Sequence, residues 1–202
     1  MDLPYSEACE RNKEPIGQVL LRWFPKSGQV LEIGAGTGQH AVHFCRELPG
    51  LSWQASDVPA NLPDLRRRFE LEGGDRLPEP IALDVADSAQ WPPGPFDAVY
   101  TANTLHIMPW RLTTLFLAGA AGCLRPGGLL IVYGPFHDGG RHTAASNEAF
   151  DRSLRQRDPA MGVRDAVEVI AIAERLGLEH REDVSMPANN RILVFSATEH
   201  QQ

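Results

Sequence analysis

Three glycines at alternate positions follow an apolar run in residues 30–39 (VLEIGAGTGQ), and an acidic residue precedes the first glycine by two positions. Glycines in such a turn let the backbone pass close to a bound nucleoside and start a helix beside it. The acid would repel a diphosphate, whereas it would attract the ammonium group of a ligand. The pattern predicts a nucleoside-binding turn between a strand and a helix, formed by Glu32, Gly34, Ala35, Gly36 and Gly38.

This loop differs from the fingerprint of dinucleotide-binding proteins. That fingerprint has a glycine three residues after its second one, where the diphosphate meets the start of the helix. Gln39 takes this position here, and Gly38 comes one residue early. An NAD(P)-dependent oxidoreductase is therefore a weaker interpretation of the loop.

The elements around the loop alternate between strands and helices, which is typical of an α/β sheet. Pro15 is expected at the first position of the first helix, which then carries one apolar stripe to Phe24. Further helices are predicted at 37–48, 61–72, 110–123, 144–156 and 163–176, and strands at 29–33, 52–57, 80–84, 97–102, 128–134, 179–184 and 191–197.

The last two strands are joined by only six residues, 185–190. Because six residues cannot contain a crossover helix, these strands must be antiparallel. The predicted fold is α/β, a Rossmann-like three-layer sandwich with a seven-stranded, mostly parallel sheet and a C-terminal antiparallel hairpin. We expect a single domain over residues 1–202, in which residues 1–27 form an N-terminal lid and helix.

The Glu-x-Gly-x-Gly-x-Gly loop resembles motif I of the class I S-adenosylmethionine (SAM) dependent methyltransferases. Residues 96–108 (FDAVYTANTLHIM) and 123–134 (CLRPGGLLIVYG) resemble later segments of the same enzymes. Shorter segments at 12–16, 133–136, 146–148 and 186–190 resemble one methyltransferase-like family of bacterial proteins with a vertebrate member. The acceptor of that family is not established, so the resemblance implies a fold and a cofactor but no substrate.

The resemblance implies that SAM is the cofactor. Asp57, at the end of the second strand, would accept hydrogen bonds from the ribose hydroxyls. Asp84 would meet the adenine amino group, the backbone amide of Val85 would meet a ring nitrogen, and Asn103 lies at the exit of the fourth strand. The alternative for both aspartates is a turn or helix cap.

Candidates for the acceptor site lie where the strands end. The predicted contacts are Arg11, Asn12, Tyr133, Arg141, Asn189 and Asn190, with Arg164 and Arg191 nearby. Guanidinium groups would bind a carboxylate at two points, which favours a small polar or anionic acceptor. The alternatives are that the arginines form surface ion pairs and that the asparagines form a turn. His137 or His106 would be the general base, and residues 5–14 would be a lid.

Composition limits the partners. The chain has 26 acidic and 19 basic residues, so its net charge of −7 disfavours nucleic acid, and Arg66–Arg68 are expected on a solvated helix face. No apolar run is long enough for a bilayer and no signal peptide is recognisable, which favours the cytoplasm. Three scattered cysteines predict free thiols. His40 and His43 lack a third ligand nearby in sequence, so no metal site is expected. Oligomeric state stays open.

The sequence therefore predicts SAM-dependent methyl transfer to a small molecule. Such a reaction needs little covalent chemistry from the protein, which is consistent with the absence of a recognisable catalytic triad. The alternative is a non-catalytic SAM-binding or partner-binding module on the same fold, because fold does not determine function.

Overall fold

A computed structural model describes residues 3–198, so residues 1, 2 and 199–202 of the predicted domain lie outside the described part. The helices are α1 (Glu7–Trp23), α2 (Gln39–Glu47), α3 (Leu62–Arg68), α4 (Trp110–Cys123), α5 (Ala145–Arg157) and α6 (Ala166–Arg175). The strands are β1 (Gly28–Ile33), β2 (Leu51–Asp57), β3 (Ile81–Ala82), β4 (Phe96–Ala102), β5 (Leu124–Asp138), β6 (Arg141–His142), β7 (Arg164–Asp165), β8 (Leu178–Met186) and β9 (Asn190–Ala197).

The main sheet has the strand order β3-β2-β1-β4-β5-β9-β8. The first five strands in this order are parallel, whereas β9 is antiparallel to both β5 and β8. Two short strands that were not predicted, β6 and β7, pair with the C-terminal end of β5. The predicted mostly parallel sheet with a C-terminal antiparallel hairpin is confirmed.

Helices cover both faces of this sheet. Successive side chains of a strand point to opposite faces, so Val30 belongs to the hydrophobic core on the α1 and α2 side and Leu31 to the core on the α4 and α6 side. Trp53 and Tyr100 are fully buried in the first core, where their ring centroids lie 5.6 Å apart. This arrangement is the predicted three-layer sandwich.

Helix α1 begins at Glu7, so the prediction that Pro15 is its first residue is wrong. Ser6 is the N-cap, and its hydroxyl oxygen accepts a hydrogen bond from the Cys9 N–H at 3.2 Å. Acidic residues in the first turn, Glu7 and Glu10, also favour a helix start there. The apolar periodicity starts only after Pro15, because residues of the first two turns pair with polar side chains of α2, as Glu10 does with Gln39 and Asn12 with His40.

The other helix predictions agree with the structure to within a few residues. The last helix begins at Ala166, with the Asp165 carboxylate accepting from the Val167 N–H at 2.9 Å. The predicted helix 61–72 divides into α3 and a π-helical turn, Phe69–Gly73. Within residues 3–198, no helix is both long and apolar enough to cross a membrane.

Candidate cofactor and acceptor site

The loop between β1 and α2 is built on three glycines with positive φ. Gly34, Gly36 and Gly38 have φ of 71°, 57° and 75°, a region that side chains rarely adopt. A Cβ on Gly34 would lie 2.3 Å from Thr104 Cγ2, whereas a Cβ on Gly36 would meet nothing within 4 Å. The loop is therefore packed against Thr104 at Gly34, whereas the space next to Gly36 is empty.

Asp57, at the end of β2, faces the open glycine. Its Oδ2 accepts a hydrogen bond from the Gly36 N–H at 2.6 Å, and its Oδ1 accepts from the Val58 N–H at 2.7 Å and from Asn61 Nδ2 at 2.9 Å. The carboxylate thus caps the turn after β2, as in the alternative interpretation, and also lies on the edge of the cavity described below.

Glu32 is buried, and its Oε2 accepts a hydrogen bond from Trp53 Nε1 at 2.7 Å. Burial raises the pKa of this carboxyl to about 7, and the negative charge of Asp57 acts in the same direction. The side chain is therefore directed towards the indole of β2, while the residue lines the same cavity as Asp57.

Asp84 and Val85 follow β3. Asp84 Oδ1 accepts from the Ala86 N–H at 2.9 Å, and its own N–H donates to Gln90 Oε1 at 2.8 Å. The turn-cap interpretation of Asp84 thus describes its observed contacts, although the residue also faces the cavity beside the buried side chain of Val85.

These residues surround one cavity of about 500 Å³ at the carboxyl ends of the parallel strands. All the predicted cofactor residues line it except Gly38, whose surroundings are the side chains of Leu65, Arg68 and Phe69. The full lining is Ser6, Ala8, Cys9, Glu32, Ile33, Gly34, Ala35, Gly36, Thr37, His40, Asp57, Val58, Asn61, Leu83, Asp84, Val85, Ala102, Asn103, Thr104, His106, Ile107, Met108, Leu112 and Phe150. Asn103 enters the lining with a positive φ of 59°.

The two candidate bases lie in different places. His106 lines the cavity, is 7% exposed, and packs edge-on against Phe150 with 5.3 Å between the ring centroids. Burial, reinforced by the charge of Arg164, lowers the pKa of His106 to about 4. Within residues 3–198 its ring nitrogens have no hydrogen-bond partner. His106 is therefore a neutral imidazole with unused nitrogens at neutral pH.

His137 lies instead in a separate depression of about 400 Å³ near the C-terminal end of β5. Its Nδ1 is 3.3 Å from Asp165 Oδ2, and its ring packs edge-on against His142 at 5.2 Å between centroids. The Asp165 carboxylate also accepts hydrogen bonds from the N–H groups of Gly139 and Gly140. The structure does not bring His137 and His106 together.

The predicted arginine contacts do not converge on the cavity. Arg11 is exposed and lies 3.7 Å from Glu7 on the same helix, and Arg141 is exposed on β6. Arg164 is 6% exposed and donates to the carbonyl oxygens of Leu105, Met108 and Ala160. Arg11 and Arg141 are therefore surface residues, whereas Arg164 hydrogen-bonds to backbone carbonyl groups, two of them in the loop after β4.

Arg191 also binds away from the cavity, to carboxylates of β8 and β5. Its guanidinium donates to both carboxylate oxygens of Asp183 and, at 2.7 Å, to Asp138 Oδ1. Hydrogen bonds to these carboxylates raise the pKa of Arg191, with Asp183 the larger cause. The ion-pair alternative therefore describes Arg191 and Arg11.

Asn12, Tyr133 and Asn190 do come together, but beneath α1. Asn12 Oδ1 lies 2.7 Å from His40 Nε2, and the Tyr133 hydroxyl interacts with the side chains of both asparagines. The Tyr100 hydroxyl lies 3.2 Å from His40 Nδ1. Of these polar residues only His40 lines the cavity. Their contacts attach α1 to the sheet.

The Asn189 and Asn190 side chains shape the turn before β9. Asn189 has a φ of 57°, and its Nδ2 donates to Ser146 Oγ at 3.1 Å. Asn190 Nδ2 donates to the Pro187 carbonyl oxygen at 3.2 Å. These contacts are those of the turn alternative, because asparagine tolerates the left-handed region.

Two residues near the glycine loop were not predicted as part of the site. Arg68 is 4% exposed and donates to the carbonyl oxygens of Thr37 and Pro4, so the expectation of a solvated face is wrong for this arginine. Gln39 bonds the backbone of Ser6. The sequence singled out Gln39, because it occupies the position of a glycine in the dinucleotide-binding fingerprint. Its contact with Ser6, 33 residues earlier, could not be predicted from the sequence.

Comparison with known proteins identifies the family. A family model described as "Protein of unknown function (DUF938)" matches residues 3–197. The chain belongs to this family.

Solved structures share the fold at low identity. An O-methyltransferase family protein from Burkholderia thailandensis is 21% identical with a TM-score of 0.84, over 96% of this chain and 59% of that one. An O-methyltransferase family 2 protein from Planctomyces limnophilus DSM 3776, solved with apigenin, is 16% identical with a TM-score of 0.77, over 95% and 60%. CalO1, a methyltransferase in calicheamicin biosynthesis solved with S-adenosylhomocysteine (SAH), is 19% identical with a TM-score of 0.75, over 96% and 56%.

These likenesses show that the chain has the fold of class I SAM-dependent methyltransferases. The chain spans less than two thirds of the length of each of these three proteins. The resemblance to methyltransferases inferred from the sequence motifs is thereby confirmed at the level of fold.

Proposed function

We propose that this DUF938 protein binds SAM in the cavity around the glycine loop and transfers its methyl group to a small molecule. The observation that carries the proposal is that one cavity contains the open glycine, the Asp57 carboxylate and an unpaired histidine, His106. The SAH-bound structure of a protein with the same fold supports the choice of cofactor.

The residues present fit such a cofactor. Gly36 leaves open space where any other residue would place a side chain, and Asp57 offers carboxylate oxygens to ribose hydroxyls. Val58, Leu83 and Val85 supply an apolar lining for a purine ring. Glu32 also lines the cavity, and in its ionised form it would attract the ammonium group of the amino acid end.

Bound SAM supplies a methyl group on a sulfonium that is already activated, so the protein has to orient the acceptor and exclude water. His106 is neutral at neutral pH, and its free nitrogen can accept a hydrogen bond from an acceptor hydroxyl. His137, outside the cavity, is not required by this mechanism.

We further propose that the N-terminal segment, residues 5–14, is a lid over the bound cofactor. Ser6, Ala8 and Cys9, at the start of α1, line the cavity together with residues of the glycine loop. Hydrogen exchange should show their amides more protected when SAH is added. Identical exchange with and without SAH would argue for a static extension.

The cofactor site is tested by calorimetry with SAM and SAH. Gly36→Val should lose binding, because a branched side chain would fill the open space of the loop. Gly139→Val is the matched control, since Gly139 has a similar φ of 55° and equally open surroundings but lies outside the cavity lining. Equal loss in both variants would mean that backbone strain, and not the site, had been measured.

Turnover is tested by transfer of labelled methyl groups from SAM into a metabolite extract, with products identified by mass spectrometry. A labelled small-molecule product supports the enzyme. SAM binding without any labelled product would instead support a non-catalytic SAM-binding module.

A further inference from the structure

The charge of the cavity lining distinguishes between classes of acceptor. Among the described residues, the acidic side chains that line the cavity are Asp57, Asp84 and Glu32, and no lysine or arginine lines it. Glu32 is only partly ionised at neutral pH, because burial raises its pKa to about 7. His40 and His106 also line it, and burial disfavours the charged form of both by lowering their pKa to about 4. An anionic acceptor would therefore meet negative charge from the protein with no cationic side chain to compensate it.

The cavity is apolar on the side of His106. Ile107, Met108 and Leu112 come from the segment after β4 and the start of α4, and Phe150 comes from α5. Ile107 is 46% exposed and Phe150 37% exposed, so both present apolar surface that the described chain leaves partly uncovered. Apolar surface at the wall of a concave site is what an apolar ligand would cover.

Phe150 and His106 are arranged edge to face. Their ring planes meet at 72° with 5.3 Å between centroids, and the imidazole nitrogens are not hydrogen-bonded within residues 3–198. A ring packed against Phe150 could thus place a hydroxyl substituent next to the imidazole of His106.

We propose that the acceptor is an uncharged molecule with a planar apolar body that packs against Phe150 and Ile107 and a hydroxyl that hydrogen-bonds to His106. This inference rests on the proposed function and replaces the polar or anionic acceptor expected from the sequence. The arginines behind that expectation bind elsewhere, in the surface pair of Arg11 and in the hairpin and loop contacts of Arg191 and Arg164.

The test compares two probes that differ by one carboxylate, 2-naphthol and 6-hydroxy-2-naphthoate. Binding of SAH is measured first by calorimetry, and the probes are then titrated into the SAH-loaded protein. We expect 2-naphthol to bind and the naphthoate to bind at least about tenfold more weakly, because the acidic residues Asp57, Asp84 and Glu32 line the cavity and no basic side chain does. Failure of SAH to bind would overturn the proposed function, whereas SAH binding followed by equal or tighter binding of the naphthoate would overturn only the acceptor class. Binding of neither probe would also overturn it.

Two variants locate the probe. Phe150→Ala should weaken 2-naphthol by about tenfold or more with SAH affinity unchanged, because an aromatic contact is lost. Phe150→Arg should reverse the preference and favour the naphthoate. Leu115→Ala is the control, since Leu115 is similarly exposed at 41% but lies on α4 outside the cavity. Unchanged 2-naphthol affinity in Phe150→Ala would show that the apolar wall is not the acceptor site.

Discussion

Gln39, in the first turn of α2, forms two hydrogen bonds with the backbone of Ser6, the N-cap of α1. The Ser6 N–H donates to Gln39 Oε1 at 2.6 Å, and Gln39 Nε2 donates to the Ser6 carbonyl oxygen at 3.4 Å. Thr37 Oγ1 donates to the same Gln39 oxygen at 3.0 Å. The residue that follows the glycine loop therefore joins that loop directly to the start of α1, the segment that we propose as a lid.

Gln39→Ala should release this cover. Loss of the hydrogen bonds to Ser6 should speed hydrogen exchange of the first turn of α1 and weaken SAH binding by about threefold to tenfold. The control is Gln18→Ala, at an exposed position of α1. Exchange and affinity that match the parent protein would mean that Gln39 does not fasten the cover.

Asp57→Ala should weaken SAM and SAH by on the order of 1.5–3 kcal/mol, the range for losing a charge-assisted hydrogen bond. Because Asp57 also accepts from Gly36, Val58 and Asn61, thermal stability should fall as well. Asp87→Ala removes another turn cap, outside the cavity lining, and should lower stability without changing SAH affinity. Full SAH affinity in Asp57→Ala would place the ribose elsewhere.

Glu32 should make stability depend on pH. Its pKa is raised from 4.5 to about 7 by burial, so the folded protein binds this proton more tightly than the unfolded chain does. The stabilisation from the proton is complete below about pH 4.5 and is lost as the pH rises to about 7. Glu32→Gln should remove this decrease, on the order of 3 kcal/mol, in urea unfolding between pH 4.5 and 8.

The matched control for this pH dependence is Glu179→Gln, an exposed carboxylate paired with Arg181. This variant should keep the decrease in unfolding free energy seen in the parent protein. A decrease that persists undiminished in Glu32→Gln would mean that another group is responsible.

His106→Ala should lower turnover while leaving SAH affinity nearly unchanged. Because burial lowers the pKa of His106 to about 4, its neutral form predominates at all higher pH, and turnover should show no loss from this group between pH 5.5 and 8. His137→Ala is the matched control and should retain turnover, since His137 lies outside the cavity. The opposite pattern would assign the reaction to the depression near β7.

Arg164→Ala should destabilise the protein. The buried guanidinium donates to the carbonyl oxygens of Leu105, Met108 and Ala160, and the cost of losing hydrogen bonds to a charged group is about 1.5–3 kcal/mol. Arg152→Ala removes an exposed helix pair with Glu148 and should change the free energy of unfolding by less than about 0.5 kcal/mol. Equal effects in denaturant unfolding would contradict a structural role for Arg164.

Much of the fold was predictable from the sequence, because strand burial, glycine turns and short connections are local patterns. The run before Gly34 had to be a buried strand, and six residues before β9 permitted only an antiparallel partner. The placement of Asp57 beside the glycine loop followed from the same logic, since adjacent parallel strands end at the same edge.

The tertiary structure decided which of the polar residues at that edge share a cavity. His106 follows β4 and His137 lies near the end of β5, yet the packing of α5 and the pairing of β7 put them in different depressions. The attachment of the start of α1 to the glycine loop depends on Gln39, 33 residues away in the sequence. Arginines without a partner nearby in the sequence pair with distant carboxylates and carbonyl groups. Apolar side chains from α4 and α5 line the part of the cavity where arginines were predicted. The sequence did not reveal these contacts, because long-range packing leaves no periodic pattern in it.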